Sequence, residues 1–195
     1  EVSAIFKVGL PIGLSWFLEK FAFTLMGMYI GAHKPEDLAA HTIVCTINSF
    51  GFMPSVAISI TTTTLVGQYL GAKRKDLARK IASRGILLSA AYMGLVGISF
   101  FVFRRPLIGM FNPEAQVIQI GSSALMIAAL FQVFDSVGIT VDGIFRGAGY
   151  TLFPMIVRGV AMWAIFVPLI FVLGSIRENA LEGAWMAAFI GISVQ

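Results

Sequence analysis

Long apolar stretches dominate this chain and constrain its fold more than any other feature. Six of them reach or approach the roughly 20 residues that a helix needs to cross a bilayer. They lie at about 8–30, 38–66, 82–103, 116–145, 151–174 and 181–195, and we expect the last to be a truncated span. Short segments rich in Gly, Pro, Asn and charge, such as GAHKPED and RGAGYT, separate them and have the composition of turns. The sequence therefore predicts an all-α, polytopic membrane protein with six transmembrane helices.

The composition favours a lipid environment over water. Hydrophobic residues make up 57% of the chain and charged residues only 12%, whereas a soluble domain carries about 25% charged residues. The chain starts with EVSAIFKVGLP, which lacks the arrangement of a signal peptide, and stops inside the apolar run FIGISVQ. We therefore expect residues 1–195 to be a single membrane-embedded domain of a longer protein.

The net charge of +4 does not indicate a nucleic-acid partner. No basic stripe interleaved with aromatic residues runs along the chain, and much of the excess lies in one segment, at Lys73, Arg74, Lys75, Arg79, Lys80 and Arg84. Cys45 is the only cysteine, which excludes an intrachain disulfide and a thiolate metal cluster. Because we find no catalytic motif either, we expect neither an enzyme nor a bound cofactor.

The distribution of Lys and Arg predicts how the chain is oriented. If the N-terminus and the loops 71–84 and 146–150 share one side, that side carries Lys7, Arg146 and the six basic residues of the 73–84 segment. The opposite side carries only Lys34, Arg104, Arg105 and Arg177. By the positive-inside rule the first side is cytoplasmic, and we expect the bacterial inner membrane. Lys20 and Arg158 lie within the predicted spans.

Three acidic residues, Glu19, Asp135 and Asp142, also lie within the predicted spans. An ionised carboxylate at the centre of a membrane helix costs about 2.5 to 3.5 kcal/mol even on lenient scales. Glu19 must therefore face a wet cavity, pair with a cation or stay protonated. Glu19 and Asp135 are our candidates for an ion-coupling site, and the alternative is a buried polar contact that only holds helices together.

Asp135 and Asp142 are seven residues apart, so they share one face of the fourth helix. Asp142 also precedes Arg146 by four residues, the spacing of a helical ion pair. A structural ion pair and a role in transport both stay open for Asp142. The remaining candidates for a substrate or secondary site are Lys20, Asn48, Phe131 and Gln132.

Two further patterns have a structural interpretation. The threonines at 61–64 could line a pathway, but threonine hydroxyls in membrane helices usually bond to their own backbone. The G-x-x-x-G pairs at 9/13, 27/31, 67/71 and 143/147 allow helices to pack closely, without identifying which helices do so.

Four stretches together resemble a known family of transporters. They are GLPIGLSWFLE at 9–19, FMPSVAISITTTTLVGQYLGAKRKDLARK at 52–80, FQVFDS at 131–136 and GIFRGAG at 143–149. In this order and at these spacings they are similar to the carboxy-terminal half of multidrug and toxic compound extrusion (MATE) transporters of the NorM type. The resemblance covers nearly the whole chain.

The resemblance implies twelve helices in two six-helix lobes around a central cavity. This chain would supply helices seven to twelve, and its partners would be the amino-terminal lobe, the bilayer and small cationic, amphipathic substrates. In the family, a glutamate in the first helix of this half and an aspartate in its fourth are implicated in cation binding, and they match Glu19 and Asp135. The resemblance therefore implies an antiporter that exports cationic or amphipathic drugs in exchange for Na⁺ or H⁺ by alternating access.

Several residues depart from the family pattern. Lys20 places a cation beside Glu19, which disfavours Na⁺ and favours either H⁺ coupling or an internal ion pair. Asp142 adds a carboxylate, Tyr150 replaces an aspartate common in the turn after the fourth helix, and Phe131 stands where tyrosine is common. Lys20 and Arg158 give some support to a related flippase of lipid-linked oligosaccharide or polyprenyl cargo. A non-transporting membrane scaffold and an intramembrane enzyme also stay open as functions.

Overall fold

Helices make up nearly all of the part of the chain that the structure describes. The computed structural model describes residues 2–176 and 180–194, without the side chains of 2–5, 7 and 8. The helices are α1 (Val2–Gly31), α2 (Pro35–Gly71), α3 (Lys75–Gly109), α4 (Ala115–Gly147), α5 (Leu152–Val160), α6 (Val167–Ile176) and α7 (Ala180–Ser193). A π-helical turn, Ala161–Phe166, joins α5 to α6. The side chain of Lys7 and the whole of Arg177, both counted in the charge distribution, lie outside the described residues.

The expected all-α membrane architecture is confirmed. Within the described residues, α2, α3, α4 and the continuous segment 152–176 are long and apolar enough to cross a membrane. The first helix, α1, has 30 residues, and α7 is a shorter apolar helix of 14 residues. The helices extend beyond the predicted spans. In particular, α3 includes most of the basic segment 73–84, because only residues 72–74 are not helical.

Two of the helix ends use a residue in the left-handed conformation. Gly149 has φ 88°, and the Tyr150 amide donates to the carbonyl of Phe145 at 2.9 Å. Lys73 has φ 58°, and the Arg74 amide donates to the carbonyl of Tyr69 at 2.9 Å. This 6→1 hydrogen bond is typical of the Schellman motif, which satisfies a terminal carbonyl and reverses the chain sharply.

A kink interrupts α3 at Phe103, whose φ of −99° and ψ of 17° are not helical. Pro106, three residues later, cannot donate to the carbonyl of Val102 and its ring crowds the preceding turn. The Arg104 guanidinium donates to the nearby carbonyl of Phe101 at 2.6 Å, which satisfies another backbone group of the distorted turn. The sequence predicts that the third span ends at about residue 103, whereas the helix continues beyond the kink to Gly109.

The fourth helix, α4, lies at the centre of the molecule and packs against α2, α3 and α7. Its buried face and that of α7 supply much of the core, including the fully buried Phe131 and Trp185. Large apolar side chains on the outside, such as Leu87 and Leu95 of α3, are exposed. This distribution suits a molecule whose outer surface contacts lipid.

Candidate functional site

A cavity of about 720 Å³ is lined by α1, α2, α4, α7 and the π-helical turn. The structure brings five of the predicted site residues to its wall: Glu19, Lys20, Asn48, Phe131 and Asp135. Apolar and aromatic side chains complete much of the lining, among them Phe23, Met28, Phe52 and Trp185. The volume falls within the range of small-molecule sites, which combine apolar walls with a few polar groups.

The three intramembrane acids converge on one arginine. Arg158 lies in the last turn of α5 and is only 7% exposed. Its Nη1 is 3.1 Å from Asp142 Oδ2, its Nε is 3.6 Å from Glu19 Oε2, and its Nη2 is 3.9 Å from Asp135 Oδ1. Only the contact with Asp142 has the length of a hydrogen bond. One guanidinium group therefore faces three carboxylates, which come from α1 and α4.

The partner of the Asp142 carboxylate differs from the one that helical spacing predicts. Arg146, one turn along α4, donates from Nε to the backbone carbonyl of Asp142 at 3.2 Å. The carboxylate itself pairs with Arg158, across the turn between α4 and α5. The structure thus pairs Asp142 with Arg158, and a role in transport stays open for Asp142. Asp142 lies outside the wall of the 720 Å³ cavity, in a small pocket that it shares with Arg158.

Gln132 and Asn48 form a hydrogen bond that joins α4 to α2. The Gln132 amide nitrogen, Nε2, donates to Asn48 Oδ1. Gln132 is fully buried, whereas Asn48 is partly exposed at the cavity wall. Gln132 Oε1 has no hydrogen-bond partner within the described part of the chain. Gln132 thus acts on the cavity through Asn48 rather than by lining it.

Lys20 and Phe131 line the same cavity in different ways. Lys20 is exposed at the cavity wall, and none of the described carboxylates lies within ion-pair distance of its ammonium group. Phe131 is only 1% exposed and stacks on Trp185, with ring centroids 6.1 Å apart and planes at 12°. Phe131 is therefore packed against Trp185 at the cavity wall.

The threonines at 61–64 in α2 bond to the backbone of their own helix, as the structural interpretation predicts. Each hydroxyl from Thr61 to Thr64 donates to the carbonyl four residues earlier, at 2.8 to 3.0 Å. None of these four residues lines the 720 Å³ cavity. The hydroxyls are thus bonded to their own helix, although Thr63 and Thr64 also line a second cavity of about 340 Å³.

Arg158 is the residue whose place in the site the sequence analysis missed. Its position within a span was a usable signal, because an intramembrane arginine is expected to pair with a carboxylate or a backbone carbonyl. Its partner Asp142 lies 16 residues earlier, on another helix. Spacing rules that hold within one helix cannot predict such a pair.

Among the described residues, no group of three or more His, Cys, Asp or Glu side chains has the arrangement of a metal site. The side chains that could hold a cation at the cavity wall are the carboxylates of Glu19 and Asp135. Both approach the Arg158 guanidinium, so any cation bound there would lie close to a fixed positive charge.

Comparison with known proteins identifies relatives over most of this chain. The family model described as MatE matches residues 11–172. A probable multidrug resistance protein NorM from Thermotoga maritima is 33% identical over 188 residues, which are 96% of this chain and 40% of that protein. A protein of the same description from Deinococcus radiodurans is 33% identical over 200 residues, covering 100% of this chain and 44% of its own length. The chain thus spans less than half the length of these relatives.

Solved structures share the fold. A mutant of the Vibrio cholerae MATE transporter VcmN superposes with a TM-score of 0.90 at 18% identity, over 99% of this chain and 44% of that one. A MATE protein in complex with MaD5 gives a TM-score of 0.91 at 16% identity, over 98% of this chain and 43% of that one. At these identities the likeness concerns the arrangement of the helices.

Proposed function

Because this chain belongs to the MatE family and its helices form an integral membrane protein, we propose that it is one lobe of a secondary active drug exporter. In this proposal residues 1–195 correspond to helices seven to twelve of a twelve-helix transporter. A second six-helix lobe closes the cavity from the other side. The complete protein lies in the bacterial inner membrane, with the N-terminus of this segment in the cytoplasm, as the distribution of Lys and Arg favours.

The observation that carries the proposal is the convergence of Glu19 and Asp135 on one cavity. The two carboxylates come from α1 and α4, which are far apart in the chain, and both line the 720 Å³ space. An ionised carboxylate inside the membrane is costly unless it pairs with a positive charge or reaches water, and such residues commonly mark ion or proton pathways. Their contacts with Arg158, at 3.6 and 3.9 Å, are too long for hydrogen bonds, so these two acids are not tied to the arginine as Asp142 is.

In the proposed transport cycle, the coupling cation and the cationic cargo compete for these two carboxylates. A coupling cation, Na⁺ or H⁺, binds Glu19 and Asp135 on one side of the membrane and leaves on the other. Its binding changes the relative free energies of the inward-facing and outward-facing arrangements of the two lobes. Cargo release is thereby linked to cation entry.

The cavity wall suits cargo that is both cationic and apolar. Phe23, Phe52 and Trp185 supply aromatic surface, which binds lipophilic cations through their π faces. Glu19 and Asp135 supply negative charge at the wall of the same space. We therefore propose small cationic, amphipathic molecules as the exported class, in keeping with the multidrug resistance name of the NorM relatives.

Lys20 favours a second candidate function. Its exposed side chain at the cavity wall adds a cation that an anionic cargo would use. A flippase of lipid-linked oligosaccharide or polyprenyl phosphate would need such a group. A scaffold role predicts no hollow between the helices, so the cavity weighs against it, and membership of a transporter family weighs against an enzyme.

The test uses the complete transporter in proteoliposomes. Glu19→Gln and Asp135→Asn should each reduce ion-driven efflux of a lipophilic cation such as ethidium by more than tenfold, because the exchangeable charge is lost. The matched control is Glu114→Gln, which removes an exposed carboxylate before α4 and should leave efflux unchanged. Normal efflux by both site variants would refute the coupling role. Efflux of polyprenyl phosphate but not of ethidium would favour the flippase.

A further inference from the structure

Among the described residues, Arg158 is the basic residue within ion-pair distance of Glu19, Asp135 and Asp142, while Lys20 and Arg146 lie farther from these carboxylates. Three carboxylates lie within 3.9 Å of the guanidinium nitrogens, and each is at most partly exposed. A guanidinium group is always protonated and presents five N–H donors in a fixed planar fork. It can therefore serve several carboxylates at once, although it carries only a single positive charge.

The three contacts are graded in length. Asp142 is held at hydrogen-bond distance, whereas Glu19 and Asp135 are 0.5 and 0.8 Å farther from their nearest nitrogens, as the distances of 3.1, 3.6 and 3.9 Å give. Glu19 Oε2 is buried and has no hydrogen-bond partner within the described part of the chain. Arg158 is therefore anchored on Asp142, and the two cavity-lining carboxylates keep oxygen atoms that can accept another positive charge.

From this arrangement we infer that Arg158 is a built-in counter-ion that occupies the cation position between Glu19 and Asp135 and restricts exchange at this site to protons. The inference rests on the proposed function and deepens it, because it selects between the two coupling ions. It also assigns Asp142 a role as the residue that positions Arg158.

Sodium and the proton make different demands on this site. A hard cation such as Na⁺ needs several oxygen ligands arranged around a space of its own. Here the guanidinium lies 3.6 Å from the Glu19 carboxylate and 3.9 Å from that of Asp135, and its positive charge would repel a second cation placed between these two acids. A proton forms an O–H bond on a single carboxylate oxygen and needs no ligand shell. Protonating Glu19 or Asp135 also removes a negative charge without displacing Arg158.

A π-helical turn follows Arg158 closely in the chain. The π-helical turn begins at Ala161, three residues after Arg158. Such turns have wider, less regular hydrogen bonding and are common at functional sites. When Glu19 or Asp135 becomes neutral, the side chain of Arg158 keeps its hydrogen bond to Asp142 and loosens from that acid. Protonation of Glu19 therefore changes the contact of Arg158 with α1, and protonation of Asp135 changes its contact with α4.

The experiment measures sodium binding without requiring transport. The complete transporter, purified in detergent, is unfolded by heat in NaCl and in choline chloride of equal concentration. The wild type should show no sodium-specific shift in Tm. Arg158→Gln should gain a sodium-specific rise of several degrees, and Arg158→Gln with Asp135→Asn should lose it again, because binding to the folded state raises Tm.

Arg146→Gln is the matched control, since it removes a nearby arginine that makes no contact with Glu19 or Asp135 within ion-pair distance. It should show no sodium response. If Arg158→Gln does not fold, Arg158→Lys takes its place. A lysine ammonium cannot bridge three carboxylates, so this variant should show a smaller sodium response that again requires Asp135.

A sodium-specific shift in the wild type would overturn the inference, and so would a folded Arg158 variant that gains none. Ethidium efflux is measured in parallel on the wild type. Absence of efflux would contradict the proposed function alone, because the sodium measurement does not depend on it. Efflux driven by a sodium gradient without a proton gradient would contradict the inference and leave the exporter intact.

Discussion

At the level of single residues, the polar groups of this lobe differ in how much water they can reach. Gln132 is fully buried and depends on Asn48 for its hydrogen bond, whereas Asn48 stands at the cavity wall. Losing one member of such a pair is costly only if the other is left buried and unpaired. The Asn48–Gln132 pair should therefore respond unequally to substitution of its two members.

Asn48→Leu should destabilise the protein by about 1–3 kcal/mol, because it leaves the Gln132 amide without an acceptor in a dry interior. Gln132→Leu should cost clearly less, since Asn48 can bond to water in the cavity and a buried amide is removed. The double variant should resemble Gln132→Leu. Thermal unfolding of the complete transporter in detergent measures these differences, and equal losses from the two single variants would argue against the pairing.

The candidate site shows which residues a sequence can predict. The common face of Asp135 and Asp142 followed from their spacing in one helix, and both approach the same arginine. The family resemblance and the free-energy cost of burying a charge both predict Glu19 and Asp135 as site residues. The contribution of Arg158 was missed because it depends on how α5 packs against α1 and how far the Arg158 side chain reaches toward α4, which no local pattern specifies.

At the level of helices, glycines decide how closely α2 and α4 approach. A Cβ at Gly147 would collide with the backbone carbonyl oxygen of Thr63, and a Cβ at Gly67 would lie 3.1 Å from the carbonyl oxygen of Gly147. A Cβ at Gly71, Gly9 or Gly13 would meet nothing within 4 Å. The four G-x-x-x-G pairs look alike in sequence, and only the structure distinguishes the 143/147 pair, which packs against α2, from the 9/13 pair, which does not.

Gly147→Ala should destabilise the protein by about 1–3 kcal/mol, because the obstructing atom belongs to the backbone and cannot rotate away. Gly71→Ala is the matched control. It adds the same methyl group in open space and should be neutral or slightly stabilising, since alanine favours the helix by up to about 1 kcal/mol. The melting temperatures of the two variants compare them directly. Similar melting temperatures would show that α2 and α4 are not in close contact.

At the level of the whole molecule, the cavity wall carries exposed apolar surface that the proposed partner lobe would cover. Met28, which lines the same cavity as Lys20, is 67% exposed. An exposed apolar wall around polar groups favours association with another surface. The lengths of the relatives agree with this view, because this chain spans only 40% and 44% of the two NorM proteins.

The isolated 195-residue chain should therefore dimerise or aggregate in detergent, whereas co-expression with the remaining half of the transporter should yield a one-to-one complex. The complex should also melt at a higher temperature, because a partner that binds only the folded state stabilises it. Size-exclusion chromatography with light scattering distinguishes these species. A monomer of the isolated chain with the same melting temperature as the complex would contradict the two-lobe arrangement.

Proton counting during cargo binding tests most directly whether Glu19 and Asp135 hold an exchangeable charge. The purified complete transporter is mixed with saturating ethidium in weakly buffered detergent solution, and a pH-sensitive dye reports the protons released. The wild type should release about one proton for each ethidium bound, and the double variant Glu19→Gln, Asp135→Asn should release none. Equal release by the wild type and the double variant, or cargo binding by the wild type without release, would show that these carboxylates do not couple the cation to the cargo.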